Sequence, residues 1–387
     1  MRVVFSCSGF SAANLRLQPW LTLIEVGRRL VAKGHDVTLA TDVSADTAGL
    51  PLPVQVFPSL RGTDSAQIVR WLDEHKPNRV VASITPFSLA TAGWHRHLVR
   101  EKAWGFLPYA LYSGREFRTA WPYLTPRDRW GFGRNLVVPV GLWRRRLRQR
   151  FGGVICQSQR TAKRLDLHPT HRRTATSHTD APTHIIPPGL DLHAWRPMEP
   201  IVQKAGSATF VYFGSTRSIR GYTVLLEAMT KLPAHMKLSV LARGLEGAGA
   251  VEMKKGLKSR GLADRVRVTG GWQTSEQMKA EMQCALAVVL PFVLVPSEVP
   301  VSVLEVTACG TPVIVTDIDG LPESVGEAGV VVPPGDAAQL AAAMLKLANQ
   351  PDKVAALRRA CLRRRETFQD WDAVAERWEA VLNLSGG

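Results

Sequence analysis

The sequence predicts an α/β protein made of two doubly wound, Rossmann-like domains. Three observations support this fold class: the chain has 387 residues, strand-like apolar runs alternate with helical patterns, and a polar stretch divides this alternation into two series. At roughly 150 residues per domain, two domains are expected, and each is long enough to bury a core. Hydrophobic residues make up 45% of the chain and charged residues 21%, a composition that excludes a disordered protein.

The first series begins with a βαβ unit. An apolar run at residues 3–6 leads to a helical pattern over residues 20–32, and a second apolar run follows at residues 37–40. Because parallel strands are covered on both faces, their apolar runs are continuous rather than alternating. Further strands of this series are predicted at residues 54–57, 80–84, 109–112 and 154–156.

A stretch rich in His, Thr and Pro at residues 166–200 is the predicted linker between the two series. The strands of the second series are predicted at residues 210–213, 238–241, 266–269, 287–290 and 313–315. The chain then ends with the pattern of an amphipathic helix over residues 371–384. We therefore expect an N-terminal domain at 1–185, a C-terminal domain at 186–370 and a final helical segment at 371–387.

The formal net charge of +16 indicates an anionic partner. A nucleic acid is not predicted, because the sequence shows no nucleic-acid-binding motif. The five cysteines form no CxxC pair, so neither a zinc site nor a disulfide framework is expected. No apolar run approaches the ~20 residues of a spanning helix and no leader pattern opens the sequence, so we expect a cytoplasmic protein.

The most distinctive motif is Pro-Ser-Glu-Val-Pro-Val-Ser-Val-Leu-Glu at residues 296–305, followed by Gly-Leu-Pro-Glu at 320–323. These residues resemble the C-terminal half of retaining GT-B glycosyltransferases of the family-4 type, also called glycosyl transferases group 1. Weaker matches at residues 34–37, 186–191 and 213–221 extend the resemblance along most of the chain.

The resemblance implies two domains that face a central cleft, with the last helix packed back on the N-terminal domain. It also implies transfer of a hexosyl group from a UDP- or GDP-sugar to a hydroxyl of a glycan or lipid-linked acceptor, with retention at the anomeric carbon. No metal or other cofactor is implied. A DxD sequence at residues 317–319 follows a predicted strand in a turn, and we do not interpret it as a metal site.

Glu298 and Glu305 match the glutamate pair of the family, but they are seven positions apart instead of the usual eight. Either one residue is missing from the loop, which we favour, or Ser297 holds the first position. By resemblance, Glu305 accepts hydrogen bonds from the ribose of the donor, and Glu298 lies near the sugar and stabilises charge at its anomeric carbon. Alternatively, each glutamate only complements a helix dipole.

The donor diphosphate is expected to meet cations that follow Gly214. In the family an arginine follows this glycine and a lysine comes about five positions later. Here Ser215 takes the first position and Arg220 the second, with Arg217 between them. We expect Arg220 to stabilise the leaving diphosphate and Arg217 to supply a second cation, the alternative being exposed loop charges.

Backbone groups complete the expected donor site. The amides of Val301, Ser302 and Val303 lead into a helix and are expected to bind phosphate or sugar oxygens. Gly9, after the first strand, matches the place where the family brings backbone close to the donor.

The densest basic segment, residues 142–151, combines five arginines with Trp143 and Phe151. The arginines are Arg144, Arg145, Arg146, Arg148 and Arg150. Basic residues beside aromatic ones suit an anionic membrane surface, which would place the protein peripherally on the inner membrane face. A solvated helix face is the alternative.

Two other functions remain open at this point. A nucleotide-sugar epimerase shares the fold, which does not fix the chemistry. A non-catalytic GT-B subunit that binds a partner or a membrane is the second alternative, and the shortened loop between Glu298 and Glu305, together with Ser215, motivates it.

Overall fold

A computed structural model describes residues 1–10, 15–42, 49–165, 181–197, 208–295 and 297–383. The described residues form two α/β domains, each built around one sheet of parallel strands. The first sheet lies within residues 2–185 and the second within residues 209–332. The predicted class of two doubly wound domains is confirmed.

The N-terminal domain contains a seven-stranded sheet in the order β3-β2-β1-β4-β5-β6-β7. Its strands are β1 (Arg2–Ser6), β2 (Asp36–Thr41), β3 (Val54–Val56), β4 (Arg79–Ser83), β5 (Ala103–Leu107), β6 (Gly153–Cys156) and β7 (Thr183–Ile185). The helices are α1 (Trp20–Ala32), α2 (Ala66–His75), α3 (Pro86–Thr91), α4 (Gly114–Ala120), α5 (Pro126–Leu136), α6 (Val140–Arg150) and α7 (Gln159–Leu165).

The C-terminal domain contains a six-stranded sheet in the order β10-β9-β8-β11-β12-β13. Its strands are β8 (Thr209–Gly214), β9 (Lys237–Ala242), β10 (Val266–Gly270), β11 (Ala287–Leu290), β12 (Val313–Thr316) and β13 (Gly329–Val332). Its helices are α8 (Tyr222–Thr230), α9 (Gly247–Ser259), α10 (Ser275–Gln283), α11 (Val301–Ala308), α12 (Leu321–Val325), α13 (Ala337–Ala348) and α14 (Pro351–Arg365). A last helix, α15 (Trp371–Asn383), follows them.

Both sheets reverse their strand order beside their first strand. β1 pairs in parallel with β2 and β4, and β8 pairs in parallel with β9 and β11. Ligands of doubly wound sheets bind where the order reverses, outside the carboxyl ends of the strands. In the C-terminal domain, the loops that follow β8, β9 and β11 therefore define the expected binding edge.

Local sequence signals fix several helix starts. Thr85, Ser113, Thr125 and Thr274 each accept a hydrogen bond from the backbone three residues later, and the side chain at that later position bonds back. These capping boxes satisfy backbone donors that a helix start leaves unpaired.

The last helix, α15, packs on the N-terminal domain. Trp378 is buried, and its ring meets Phe106 and Phe5 edge-on, with centroid distances of 5.0 and 5.8 Å. Trp371 and Val374 belong to the same buried cluster. The chain thus crosses between the domains a second time, and α15 contributes to the N-terminal core.

One predicted strand is wrong. Residues 109–112 are irregular, and the strand is β5 at Ala103–Leu107. Pro108 ends β5, since proline cannot donate to a sheet ladder. The predicted linker includes residues 166–180 and 198–200, which lie outside the described residues, and it also includes β7.

Candidate active site

A cavity of about 1060 Å³ lies between the two domains, at the edge that the strand order predicts. Residues of the loop before α1, including Arg16 and Gln18, form part of its N-terminal-domain wall. The C-terminal-domain wall includes Gly214, Arg220, Arg243, Ser297, Val301, Ser302 and Glu305. The cleft therefore brings Arg220, Arg243 and Glu305 of the C-terminal domain opposite a surface of the N-terminal domain.

The Arg220 side chain lies against the end of β8, where it packs on an aromatic ring in a space left by a glycine. Its guanidinium lies 4.7 Å from the centre of the Phe292 ring. Gly214 has a φ of +124°, and a Cβ there would stand 2.6 Å from Arg220 Nη2, so the absence of a side chain makes room for the guanidinium. Gly221 has a φ of +75°, and a Cβ there would lie 1.7 Å from the Pro291 carbonyl oxygen. These two glycines permit the turn that carries Arg220.

Arg243 is a second cation of the cavity that the sequence interpretation missed. It follows the last residue of β9, and its amide donates to the Gly214 carbonyl at 3.0 Å. Its guanidinium lies 5.4 Å from the centre of the Trp272 ring. Burial and the neighbouring Arg220 lower the pKa of Arg243, while Glu305 acts in the opposite direction. Two like charges are thus held close together in a part-buried site, which favours binding of an anion.

Glu305 lies one turn inside α11 and lines the same cavity. Burial raises its pKa to about 7, against the lowering effects of Arg243 and Arg16. A carboxylate poised in this range is available to accept hydrogen bonds from ligand hydroxyls when it is ionised.

The N-terminus of α11 contributes the predicted Val301 and Ser302 to the cavity wall. Val303 is not part of that wall. Its side chain is buried in the core, and its amide already donates to the Pro300 carbonyl at 3.0 Å. Val303 as an anion-binding residue is therefore corrected.

Glu298 does not face the cavity, and the expectation that it lies beside the donor sugar is wrong. Its side chain is 0% exposed, and its carboxylate accepts hydrogen bonds from the amides of Gln157, at 2.7 Å, and Ser158. Burial and the nearby Asp319 raise its pKa, and these hydrogen bonds oppose the rise. Ser297 lines the cavity instead, and it stands eight positions before Glu305. The structure thus favours the alternative in which Ser297 holds the first position of the motif.

Glu298 belongs to a group of four acidic residues of the C-terminal domain that we call the carboxylate clamp. The four are Glu298, Asp317, Asp319 and Glu323. The clamp holds residues 157–161 at the start of α7, where carboxylates complement the exposed amides of a helix N-terminus. Glu323 accepts from the Gln159 amide at 2.8 Å, and Asp317 accepts from Arg160 at 2.8 Å. Both acidic residues of the DxD sequence therefore form hydrogen bonds to the N-terminal domain.

Arg217 and Ser215 also lie outside the cavity wall. Arg217 forms an ion pair with the buried Asp128 of α5, so it joins the domains rather than clamping a phosphate. The Ser215 carbonyl accepts a hydrogen bond from the Tyr212 hydroxyl at 2.5 Å. Neither residue lies in the wall of the described cavity, and donor binding by Arg217 and Ser215 stays a prediction.

Gly9 is likewise absent from the described cavity wall. Its amide donates to Asp42 at 2.7 Å, and a Cβ there would stand 3.2 Å from the Trp20 ring. The N-terminal domain reaches the cavity through the loop that carries Arg16 instead.

The arginines of α6 serve mainly the N-terminal domain itself. Arg144 donates to the Arg164 carbonyl at 2.6 Å, Arg146 to the carbonyls of Leu89 and Ala90, and Arg150 to Leu89 at 3.1 Å. The Arg148 side chain is part-buried, and Arg145 alone among the five is exposed. The five arginines therefore do not form one exposed basic face.

Solved structures of other proteins identify the fold class of this chain. A sucrose-phosphate synthase from Thermosynechococcus elongatus superposes with a TM-score of 0.73 at 19% identity, over 99% of this chain and 98% of the other. Anabaena HepE, solved in complex with UDP, superposes with a TM-score of 0.70 at 16% identity, over 99% and 100%. The chain as a whole has the GT-B fold, as predicted.

The sequence match to a known family lies in the second half of the chain. Residues 207–350 match the family described as glycosyl transferases group 1. An MMP alpha-(1->4)-mannosyltransferase of Mycolicibacterium hassiacum is 26% identical over 63% of this chain and 60% of its own length. A D-inositol 3-phosphate glycosyltransferase of Segniliparus rotundus is 24% identical over 58% and 52%. The sequence match to glycosyl transferases group 1 is thus confined to the C-terminal domain, and the chain spans little more than half the length of these curated relatives.

No cluster of three or more His, Cys, Asp or Glu side chains among the described residues is arranged to hold a metal ion. None of the helices described is both long and apolar enough to cross a bilayer.

Proposed function

We propose that the protein is a retaining glycosyltransferase that moves a hexosyl group from a UDP- or GDP-sugar to a hydroxyl of a glycan or lipid-linked acceptor. The observation that carries the proposal is the pairing of Arg220 and Arg243 beside Glu305 in an interdomain cavity. Two part-buried arginines suit a diphosphate, and a carboxylate suits the vicinal hydroxyls of a ribose.

In the proposed reaction, the bond between the anomeric carbon and the diphosphate oxygen breaks as the acceptor oxygen bonds to that carbon. The electron pair of the broken bond stays on the diphosphate, whose charge Arg220 and Arg243 stabilise. The proton of the acceptor hydroxyl passes to a donor phosphate oxygen on the same face, which gives retention. No metal or other cofactor forms part of this proposal, because the two arginines and the α11 amides supply the compensating charge.

The names of the relatives are consistent with such a donor. HepE has been solved with UDP-glucose as well as with UDP, and the curated relatives are named as mannosyl- and glycosyltransferases. We propose a cytoplasmic location, and a lipid-linked acceptor would place the protein on the inner face of a membrane.

A thermal-shift screen with UDP, GDP, ADP and their sugars tests the donor site. A ligand that binds only the folded protein raises its melting temperature by mass action, so one nucleotide is expected to stabilise the protein by about 2–3 kcal/mol at about a hundredfold excess over Kd. Glu305→Ala and Arg220→Ala should remove the shift, whereas Arg359→Ala, an exposed change on α14, should not. If no nucleotide shifts a protein that melts cooperatively, the proposed donor site is wrong.

Donor affinity is also expected to depend on pH through Glu305. Because its pKa is raised to about 7, the carboxylate ionises as the pH increases through neutrality, and the ionised form is the better acceptor for ribose hydroxyls. The Kd of the nucleotide sugar should therefore fall by up to about tenfold between about pH 6 and about pH 8. Glu305→Gln should bind more weakly and without this dependence, and isothermal titration measures both. An unchanged pH profile in Glu305→Gln would contradict the role of this residue.

A non-catalytic subunit remains the second candidate, because Ser297 stands where the family places a carboxylate and Glu298 is used between the domains. Nucleotide binding without hydrolysis or transfer of any sugar donor would favour this candidate. If NMR of the sugar shows that the donor is converted to an epimer, the protein is an epimerase instead.

A further inference from the structure

The most exposed large apolar side chains of the described residues lie close together in the sequence. Trp130 is 71% exposed and Val137 is 76% exposed, the two highest values among them. Trp121, Val140 and Leu142 are exposed as well. Five of the twelve exposed large apolar residues thus fall between residues 121 and 142, on or beside α5 and α6. We call these five residues the α5–α6 face.

The same part of the chain holds an unusual concentration of positive charge. Ten arginines and two acidic residues lie between residues 114 and 150, so this segment provides half of the formal net charge of +16. Both acidic side chains are directed into the protein: Glu116 pairs with Arg164, and Asp128 is buried against Arg217. The exposed Arg127 and Arg145 are therefore not neutralised by either of them.

The helical spacing places apolar and basic residues together. The exposed Arg127, Trp130 and Val137 follow one another at intervals of three and seven along α5 and just beyond its end, so they share one side of the helix. Arg134 is directed elsewhere, because its guanidinium packs 4.9 Å from the centre of the Phe87 ring. The Arg129 guanidinium lies 4.4 Å from the centre of the Trp121 ring. Exposed aromatic and aliphatic side chains ringed by arginine are suited to an interface between water and an apolar phase.

We infer that the α5–α6 face docks on the surface of an anionic lipid bilayer. The charge of the segment complements acidic headgroups, and the exposed Trp130 and Val137 supply side chains that insert among the acyl chains. This face differs from the one expected from the sequence, because Arg144, Arg146 and Arg150 are engaged by backbone carbonyls of the N-terminal domain. Only the reason for docking, which is access to a lipid-linked acceptor, rests on the proposed function.

Vesicle flotation with the full chain tests the inference without reference to catalysis. We expect binding to phosphatidylcholine vesicles that contain about 30% phosphatidylglycerol and little binding to pure phosphatidylcholine. The double change Trp130→Ser with Val137→Ser should weaken binding to the anionic vesicles by about tenfold or more. Arg127→Gln with Arg145→Gln should weaken it as well and should reduce its dependence on salt.

The matched control is Val251→Ser on α9, which removes an equally exposed apolar side chain from the C-terminal domain and should leave vesicle binding unchanged. Thermal melting establishes that each variant is folded. Equal binding to neutral and anionic vesicles, or equal loss in Val251→Ser, would overturn the inference. If the Trp130 and Val137 variant changes its oligomeric state in solution but binds vesicles normally, the α5–α6 face is instead an interface with a second copy of the chain. Because donor-induced thermal shifts are measured separately, failure of docking is distinguishable from failure of the proposed function.

Discussion

Arg243→Ala is expected to lower kcat/KM for the nucleotide-sugar donor by about a thousandfold, which corresponds to roughly 4 kcal/mol of transition-state stabilisation. Arg243 lies beside Arg220 in a part-buried position, and burial together with the charge of Arg220 lowers the pKa of Arg243. The negative charge on the diphosphate grows as the sugar departs, so the second arginine contributes more to the transition state than to the bound donor. We therefore expect the greater part of the loss in kcat, measured as release of the nucleoside diphosphate.

Conservative and distant variants separate this role from a structural one. Arg243→Lys keeps the charge but loses the planar fork of donors, and an intermediate activity is expected. Arg359→Ala should behave as the unmodified protein. If Arg243→Ala stays within a few-fold of the unmodified protein while Arg220→Ala loses activity, Arg243 is not a diphosphate ligand.

Glu298→Ala is expected to lower the free energy of unfolding by about 3 kcal/mol. The change removes the acceptor of two buried amides, those of Gln157 and Ser158, and leaves both donors without a partner. For a chain of this size, the melting temperature should fall by about 5 °C. Differential scanning calorimetry measures the change, and Glu327→Ala provides a control, since that carboxylate is exposed and meets only Arg363.

The comparison with Ser297→Ala makes the prediction specific. Ser297 lines the cavity, so its replacement should alter the KM of the donor and leave the melting temperature unchanged. A Glu298→Ala protein that melts normally but turns over no donor would show that this carboxylate acts on the sugar after all. The two neighbouring residues thus have opposite expected effects on stability and on donor kinetics.

The fold was predictable where apolar runs were long and uninterrupted. The predicted helix at 20–32 and the strand at 287–290 have the observed bounds of α1 and β11. β5 was missed because Gly105 interrupts its apolar pattern, yet a Cβ there would stand 2.6 Å from the Ile84 side chain. β7 holds three residues, which is too few for a period of two to be recognised. β13 was not predicted although it is as long as β11.

The candidate site was predictable to the extent that it depends on one strand and one loop. Arg220, Glu305, Val301 and Ser302 follow from the motif and do line the cavity. Spacing alone allowed either Glu298 or Ser297 to hold the first position of the motif. The structure distinguishes the two, because Glu298 accepts hydrogen bonds from the amides of residues 157 and 158 in the other domain. Arg243 carries no motif, but it directly follows β9, at the carboxyl edge where a doubly wound sheet binds ligands.

The position of Trp378 has a consequence for biosynthesis. Its ring packs against Phe5 and Phe106, so the core of the N-terminal domain is completed by a helix, α15, that is translated after the whole C-terminal domain. Domains generally fold as units during synthesis, the N-terminal one first. Here the hydrophobic core of the nascent N-terminal domain stays incomplete until the whole second domain and α15 have been translated. Chaperone dependence during translation and poor yields of a fragment that stops at residue 185 are the expected results.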